Sequence, residues 1–423
     1  MTRAAAAAAV LAIMLPACSR VAAPGGSRTT RLRMLTLLIT PAREHMDNML
    51  REFNAAHPEI VVTQETAPGR GPLLMERLRT QMVTGSPPDM FWLASGEIAR
   101  PFIDAGFVAP LNRYYEQYGW EKILIPWAAR GIRYREQWWG VPRSTRGMGF
   151  WYRTDIFRRW NLPEPTSYSE LEYNCRTLRE HGVYCLSMGG KFGWNTMRLV
   201  DYLLEVSAGP ALHDRLNKLE TSWNCPEVIR AYGLLKRWVD EQWIVPGFLS
   251  LAPDDARLPW YRGDAAMVFE GDWMEAAIKT DEQDIANFDF FLAPTGHIPL
   301  RFSAFPEQIM VAAASPHPDK AAVFLNWYIQ PDVQRRYFTL LEGPTATRGV
   351  LPDARQWPKL YKWRQVLGQN NVYWPTDQVF VNQLMDSWFQ VQDGVVAGRI
   401  SPQAAAKQLD EVSRAWKLKR SGS

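Results

Sequence analysis

The chain has 423 residues, 47% of them apolar, so it can bury a large core and is long enough for two lobes or domains. Its net charge is only +4, with a basic block only at the extreme C-terminus, which argues against nucleic acid as a partner. The unusual feature is a set of 19 tryptophans. Such an excess of indole rings favours stacking against flat ligand faces that are rich in C–H groups.

The first residues predict export. Arg3 precedes an uncharged run, Ala4 to Leu15, that is shorter than the ~20 apolar residues needed to span a bilayer. We interpret residues 1–17 as a secretory signal. The end of this run resembles a bacterial lipobox, which implies that Cys18 is lipidated, that residues 18–32 form a tether, and that the protein is membrane-anchored on the periplasmic or extracellular side. The alternative is an ordinary signal followed by an incidental cysteine.

Three further cysteines follow. Export permits a disulfide between Cys175 and Cys185, which would close a short loop between a helix and the next strand and leave Cys225 over. The cysteines and the six histidines show no metal-ligand spacing, and no Walker or dinucleotide motif is present. We therefore expect neither a metal nor a cofactor.

Strand and helix patterns alternate in the first third of the chain. Leu35 to Ile39 is predicted to be a strand, followed by a helix from Arg43 and a second strand, Ile60 to Thr63. A helix carrying Leu78 leads to a third strand, Met90 to Leu93. This order predicts an α/β fold with a parallel sheet covered by helices on both faces.

A second set of elements begins near Gly149. Ser167 and Glu170 form a predicted capping box at the start of a helix that ends near His181. Later strands and helices are predicted at Val183–Met188, Met197–Val206, Pro226–Gln242, Ala265–Phe269, Phe288–Leu292, Ser315–Ile329 and from Ser401 onward.

Seven short stretches, in one order, resemble the sugar-binding group of extracellular solute-binding proteins of ABC importers. They lie within roughly residues 33 to 330, at Phe53–Val62, Gly85–Met90, Trp139–Pro142, Trp151–Phe157, Pro163–Leu171, Gly263–Trp273 and Ser315–Leu325.

The resemblance implies a two-lobed periplasmic-binding-protein-like fold of type II, in which each lobe is a mixed sheet flanked by helices. Three chain crossings between the lobes are expected near Ser144–Gly147, Arg301–Gln308 and Gly343–Thr347, each in an irregular stretch. The N-terminal lobe would then comprise residues 33–145 and 308–344, and the C-terminal lobe residues 146–307 and 345–423.

Candidate ligand-binding residues follow the ends of strands, because two-lobed α/β proteins bind ligands at the C-terminal edges of their sheets. After the strand Ala265–Phe269, Glu270 and Asp272 can accept ligand hydroxyl protons, Gly271 permits a close backbone approach, and Trp273 offers a ring face to a pyranose. The alternatives are that Asp272 is a helix N-cap and that Trp273 is core packing.

Trp92, Ser95 and Glu97 follow the third strand and combine an indole, a hydroxyl and a carboxylate, which suits a polyhydroxylated ligand. Trp194 precedes a helix in a loop where the resemblance implies stacking residues. The alternative for Trp92 and Glu97 is a half-buried tryptophan with a solvated glutamate. The alternative for Trp194 is a capping turn.

Charged residues flank the expected crossings. Arg143 and Arg146 either bind acidic sugar groups or, as we favour, pair with carboxylates at the lobe edges. Glu307 and Arg348 are candidates with the same two interpretations. A further pair, Trp374 with Asp377, precedes a helix of the second lobe, and a structural role is favoured for it.

The resemblance implies a monomeric receptor that closes its lobes on a mono- to oligosaccharide and docks on the transmembrane subunits of an ABC permease. One alternative is a secreted carbohydrate-active enzyme, although no pair of catalytic carboxylates can be recognised in the sequence. Another is a receptor for a polyol or a glycerol phosphate.

Overall fold

The computed structural model describes residues 29–38, 42–67, 72–337, 345–369 and 371–421. The signal segment and Cys18 lie outside these residues, as do the first two residues of the third expected crossing. None of the helices in the described ranges is long and apolar enough to cross a membrane.

The strands and helices are labelled in chain order. The strands are β1 (Thr30–Thr36), β2 (Ile60–Thr66), β3 (Met90–Ala94), β4 (Arg133–Tyr134), β5 (Gln137–Trp138), β6 (Val141–Arg153), β7 (Tyr184–Ser187), β8 (Ala265–Gly271), β9 (Phe288–Phe291), β10 (Phe302–Val311) and β11 (Val372–Tyr373). The helices are α1 (Ala42–Ala56), α2 (Pro72–Val83), α3 (Arg100–Asp104), α4 (Asn112–Tyr118), α5 (Trp120–Ile123), α6 (Pro126–Gly131), α7 (Thr154–Arg159), α8 (Tyr168–Glu180), α9 (Trp194–Asn217), α10 (Pro226–Asp240), α11 (Pro253–Arg262), α12 (Met274–Thr280), α13 (Pro318–Tyr328), α14 (Pro331–Arg336), α15 (Pro358–Leu367), α16 (Thr376–Val379), α17 (Asn382–Val396) and α18 (Pro402–Ser421).

The first lobe is built on β1, β2 and β3 with helices α1 to α6. β1 pairs in parallel with β2 and with β3, as the alternation of strands and helices predicted. β1 begins at Thr30, ahead of the predicted lobe boundary at residue 33, because Leu32 and Met34 are buried while Arg31 is exposed. This alternation is the pattern of a strand with one buried face, and it extends into the stretch that we had assigned to the tether.

The second lobe is built on β7, β8 and β9 with helices α8 to α12. β8 pairs in parallel with β7 and antiparallel with β6, which also pairs with β9. At the start of α8, Ser167 accepts a hydrogen bond from the Glu170 amide, as the capping box predicts. In return, the Glu170 carboxylate accepts a hydrogen bond from the Thr166 amide, at 2.7 Å.

Two long strands connect the lobes. β10 pairs antiparallel with β6 over residues 304–309 and with β3 on its other side, which gives the sheet order β2-β1-β3-β10-β6-β8-β7. The expectation of irregular crossings at 144–147 and 301–308 was wrong, since 144–147 and 302–308 lie inside these strands. Both strands are buried almost throughout, so they lack the period-two alternation that marks a half-exposed strand.

Most of the large aromatic residues serve the core. One core cluster centres on the first lobe and another on the second. The fully buried tryptophans include Trp120, Trp151, Trp223, Trp238, Trp243, Trp260, Trp363 and Trp388. The tryptophan excess is therefore largely a packing feature, and only a minority of the indole rings remain for ligand contacts.

Cys175 of α8 and Cys185 of β7 form a disulfide, and Cys225 is a free cysteine. The bond staples a helix to the strand that follows it, with both cysteines fully buried.

We expect that replacing Cys175 and Cys185 with alanine lowers the free energy of unfolding by about 2.5 kcal/mol, the loop-closure value for the 10-residue separation of the pair. Urea denaturation measures the change, and Cys225→Ala is the control that should have little effect. If reductant left the urea midpoint of the wild-type protein unchanged, the disulfide would not contribute to stability.

Candidate ligand-binding site

The end of β8 brings two indole rings together. The Trp273 ring lies across Gly271, where a Cβ atom would come within 2.1 Å of the ring. Its Nε1 donates a 2.9 Å hydrogen bond to Glu270, and the ring meets Trp194 edge to face at 6.3 Å. Both tryptophans are only partly buried. Gly271 therefore has the close-approach role that we predicted, but the ring that approaches it belongs to the protein.

Asp272 is fully buried, and neither of its carboxylate oxygens has a hydrogen-bond partner among the described residues. The alternative of a helix N-cap is wrong, because α12 begins two residues later with Trp273 at the cap position. Burial raises the pKa of Asp272 to about 7, although Arg146, with Nη1 3.8 Å from Oδ1, lowers it. Burial likewise raises the pKa of Glu270 to about 7, against the opposing charge of Arg257.

Glu307 lies between the arginines of the crossing strands. It accepts hydrogen bonds from Arg143, from the Ser144 hydroxyl at 2.9 Å and from Arg146 Nε at 3.2 Å. Burial acts to raise the pKa of Glu307, but the two arginines outweigh it and hold the pKa at about 2. This is the pairing that we favoured for Arg143 and Arg146.

The residues after β3 are packed against the same strands. The Arg143 guanidinium lies 3.7 Å from the centre of the Trp92 ring, and Trp92 Nε1 is buried with no hydrogen-bond partner in the described part of the chain. Ser95 donates its hydroxyl to the Pro306 carbonyl at 2.8 Å. Glu97 is buried and ion-paired with Arg100. Ser95 is thus engaged within the protein, whereas Trp92 keeps an unused donor.

Arg348 lies apart from the other candidates. Its guanidinium donates to the backbone carbonyls of Leu124 and Glu121, at the C-terminal end of α5. A cation bonded to the last carbonyls of a helix stabilises that helix, so the structure gives Arg348 a capping contact.

A cavity of about 670 Å³ opens between the two lobes. Two of the residues discussed in the sequence analysis, Glu97 and Trp374, line this cavity. Its lining from the first lobe comprises Gly96, Glu97, Arg100, Trp127, Arg130 and Gly131, and from the rest of the chain Asp214, Asn217, Lys218, Leu219, Arg301, Val372, Tyr373, Trp374, Gln378, Val379, Phe380, Val381, Leu384 and Trp416.

We call residues 372–380, which line one wall of this cavity, the bridging segment. The segment is fastened to α9, since Asp201 accepts from the Thr376 amide at 2.9 Å and Arg198 pairs with Asp377 at 2.9 Å. The predicted structural role of Asp377 agrees with this ion pair. Arg198 also lies over the ring of Trp194, at 5.1 Å.

The bridging segment touches the first lobe at two glycines. A methyl carbon added to Gly131 would lie 2.2 Å from the Trp374 ring, and one added to Gly96 would lie 2.1 Å from the Gln378 carbonyl oxygen. Only a residue without a side chain allows contacts this close. The two glycines therefore let the lobes meet in the arrangement seen here.

A buried charged cluster supports the cavity wall. Arg301 pairs with Asp214 at 2.9 Å and with Glu205, which also bonds His213. Burial acts to lower the pKa of His213, but the carboxylates of Asp201, 3.9 Å from Nε2, and of Glu205, 2.6 Å from Nδ1, outweigh it and raise the pKa to about 9. The histidine is thus a buried cation at neutral pH, and its charge holds two acids of α9 together.

Sequence reasoning missed most of the cavity lining. Tyr373 and Trp374 stand in a short aromatic run before Pro375, and this run is a signal that could have identified the bridging segment. Arg130 and Lys218 carry no such signal, because cations near helix ends are common for reasons unrelated to ligands.

The fold and the cavity define a class of two-lobed α/β proteins that hold a small molecule between their lobes. The family model for bacterial extracellular solute-binding proteins matches residues 40–335, and the chain belongs to this family.

The comparisons with individual proteins agree with this assignment. An uncharacterized ABC transporter extracellular-binding protein of Pyrococcus horikoshii is 21% identical over 382 residues, or 88% of this chain and 79% of that protein. A solved structure concerning xylan utilization by Caldanaerobius polysaccharolyticus has a TM-score of 0.80 at 20% identity, covering 90% of this chain and 99% of its own. A chitin oligosaccharide binding protein has a TM-score of 0.78 at 20% identity, with 92% and 98% covered.

We expect Asp272→Asn to stabilise the protein by on the order of 4 kcal/mol at pH 8, because it removes a buried charge that the ion pair with Arg146 does not fully compensate. The native pKa of Asp272 is raised to about 7 from 3.8, so wild-type stability is lost as the pH rises through this interval. The gain should therefore be small at pH 4, grow up to pH 7 and then stay constant.

Urea denaturation of both proteins at pH 4, 6 and 8 measures this difference. Asp386→Asn, an exposed change on α17, is the control and should show no such pH dependence. A gain from Asp272→Asn that was equal at all three pH values would contradict the raised pKa.

Proposed function

We propose that the protein captures a carbohydrate between its two lobes and delivers it to the transmembrane subunits of an ABC importer. The observation that carries this proposal is the cavity, whose walls come from both lobes and combine aromatic rings with hydrogen-bonding side chains. Sugars are bound in this way, since ring faces stack on their C–H surfaces while polar groups fix the hydroxyls. Similarity to a chitin oligosaccharide binding protein supports the same ligand class.

The ligand stabilises the closed form because it contacts both walls at once. Trp127 of the first lobe and Trp374 of the bridging segment both line the cavity. A molecule that binds both walls has its full set of contacts only when the lobes are together, so it shifts the population towards closure.

We further propose that Trp92, Asp272 and Trp273 belong to the same ligand surface when the lobes separate. Trp92 Nε1 is an unused donor and the Asp272 oxygens are unused acceptors within the described residues. Buried polar groups without partners cost stability, so a role in ligand binding accounts for their presence. Hydroxyl groups, which both donate and accept, would suit them.

We propose a receptor without enzymatic activity. Glu307 is neutralised by two arginines, and Glu270 accepts a hydrogen bond from Trp273, so these acids have partners within the protein. The receptor is proposed to be a monomer, exported and anchored through a lipid on Cys18. We retain the predicted lobe boundaries as part of this proposal, with the first lobe beginning at Thr30.

The test is a thermal-shift screen of neutral and acidic mono- and oligosaccharides, polyols and glycerol phosphate. A ligand at 100 times its dissociation constant should add about 2.7 kcal/mol to the free energy of unfolding. Mass spectrometry of the recovered ligand should show it intact. A cleaved product would favour the carbohydrate-active enzyme instead, and the absence of any shift from carbohydrates would contradict the proposal.

We expect Gly131→Ala to weaken sugar binding by roughly tenfold or more, because the added methyl group would overlap the Trp374 ring when the lobes close. Gly131 is the last residue of α6 and does not have the left-handed φ of Gly96, which is +68°. Alanine should therefore not strain the backbone of the ligand-free protein.

The matched control is Gly233→Ala in α10, where an added Cβ meets no atom within 4 Å. Ligand titration gives the affinity, and small-angle scattering gives the ligand-induced decrease in radius of gyration. Unchanged affinity and an unchanged decrease in Gly131→Ala would show that the contact with Trp374 is not needed for closure.

A further inference from the structure

We propose that the bound carbohydrate carries an anionic group, held at the cavity by Arg130 of the first lobe and Lys218 of the second. This inference rests on the proposed function and narrows its ligand class. Both side chains line the cavity, and they come from α6 of the first lobe and from the end of α9 of the second.

The other charges that line the cavity are already compensated. Arg100 is ion-paired with Glu97, and Arg301 is paired with Asp214 through two 2.9 Å hydrogen bonds and with the buried Glu205. Glu97 and Asp214, the two acids of the lining, are therefore already in ion pairs with these arginines.

Arg130 and Lys218 have no such partner. Arg130 lies in the last turn of α6 and Lys218 is the C-cap of α9, and both are exposed. Among the residues that the structure describes, neither side chain forms an ion pair. The lining therefore carries two cations that have no ion-pair partner in the described part of the chain, one on each lobe and each at the C-terminal end of a helix.

The placement of these charges links the ligand's charge to closure. Cations on the two lobes repel each other more strongly as the lobes approach, and this repulsion is only partly screened by salt. An anion between them replaces the repulsion with two attractions, and an arginine can bind a carboxylate through two parallel hydrogen bonds. A neutral sugar can accept hydrogen bonds from either cation but gains no charge–charge attraction.

Acidic sugars also fit the rest of the lining. A carboxylate, sulfate or phosphate occupies one edge of a pyranose and leaves the C–H face free. That face can stack on the partly exposed rings of Trp374 or Trp416, which share the cavity with the two cations.

The experiment is a titration of the full mature chain with trigalacturonate and with its fully methyl-esterified form, which has the same rings without the charges. A sulfated trisaccharide and a sugar phosphate are included to identify which anionic group is preferred. We expect one anionic ligand to bind at least tenfold more tightly than its neutral counterpart. This preference should decrease about threefold in each of Arg130→Gln and Lys218→Gln and disappear in the double variant.

The control is the double variant Arg79→Gln/Arg176→Gln, which removes two exposed cations outside the cavity lining and should keep the full preference. Thermal denaturation checks that each variant is folded.

Equal or tighter binding of the neutral forms would overturn the inference, as would a preference that survives in the Arg130→Gln/Lys218→Gln variant. If a neutral sugar from the thermal-shift screen binds and no anionic one does, the inference fails while the proposed function stands. If no carbohydrate of either kind binds, both fail.

Discussion

The pairing of β6 with β10 is the constraint on which the rest of the structure depends. These two strands belong to both lobes, and their ladder runs through Glu307, whose carboxylate is held by Arg143 and Arg146. A partly buried acid between two buried cations is costly to remove, because each arginine would lose its partner in a medium of low dielectric. The cluster therefore helps to fix the register of the crossing strands.

The crossing strands also determine where a ligand can bind. β10 pairs with β3 near one end and with β11 of the bridging segment near the other. The bridging segment meets the first lobe at Gly96, beside the Gln378 carbonyl, and at Gly131, beside the Trp374 ring. The lobes can meet closely only because these two positions lack side chains. The cavity lies beside these contacts. The same two glycines therefore determine both the shape of the site and how closely the lobes can approach.

The sequence was informative where local patterns determine structure. The alternation of strands and helices and the capping box at Ser167 predicted the α/β architecture. The crossing strands were missed because their polar residues, such as Arg146 and Glu307, compensate each other inside the protein and read locally as an exposed linker. Burial of Trp92 and Asp272 depends on the approach of distant segments, as does the cavity around Trp374, and no local pattern encodes that approach.

The central claim is that both lobes hold one sugar in the cavity between them. The measurement that tests it most directly is a crystal structure of the protein with a carbohydrate that stabilises it in solution. The claim predicts that the sugar contacts Trp127 on one wall and Trp374 on the other. A sugar that is held by one lobe alone, outside the cavity, would contradict it.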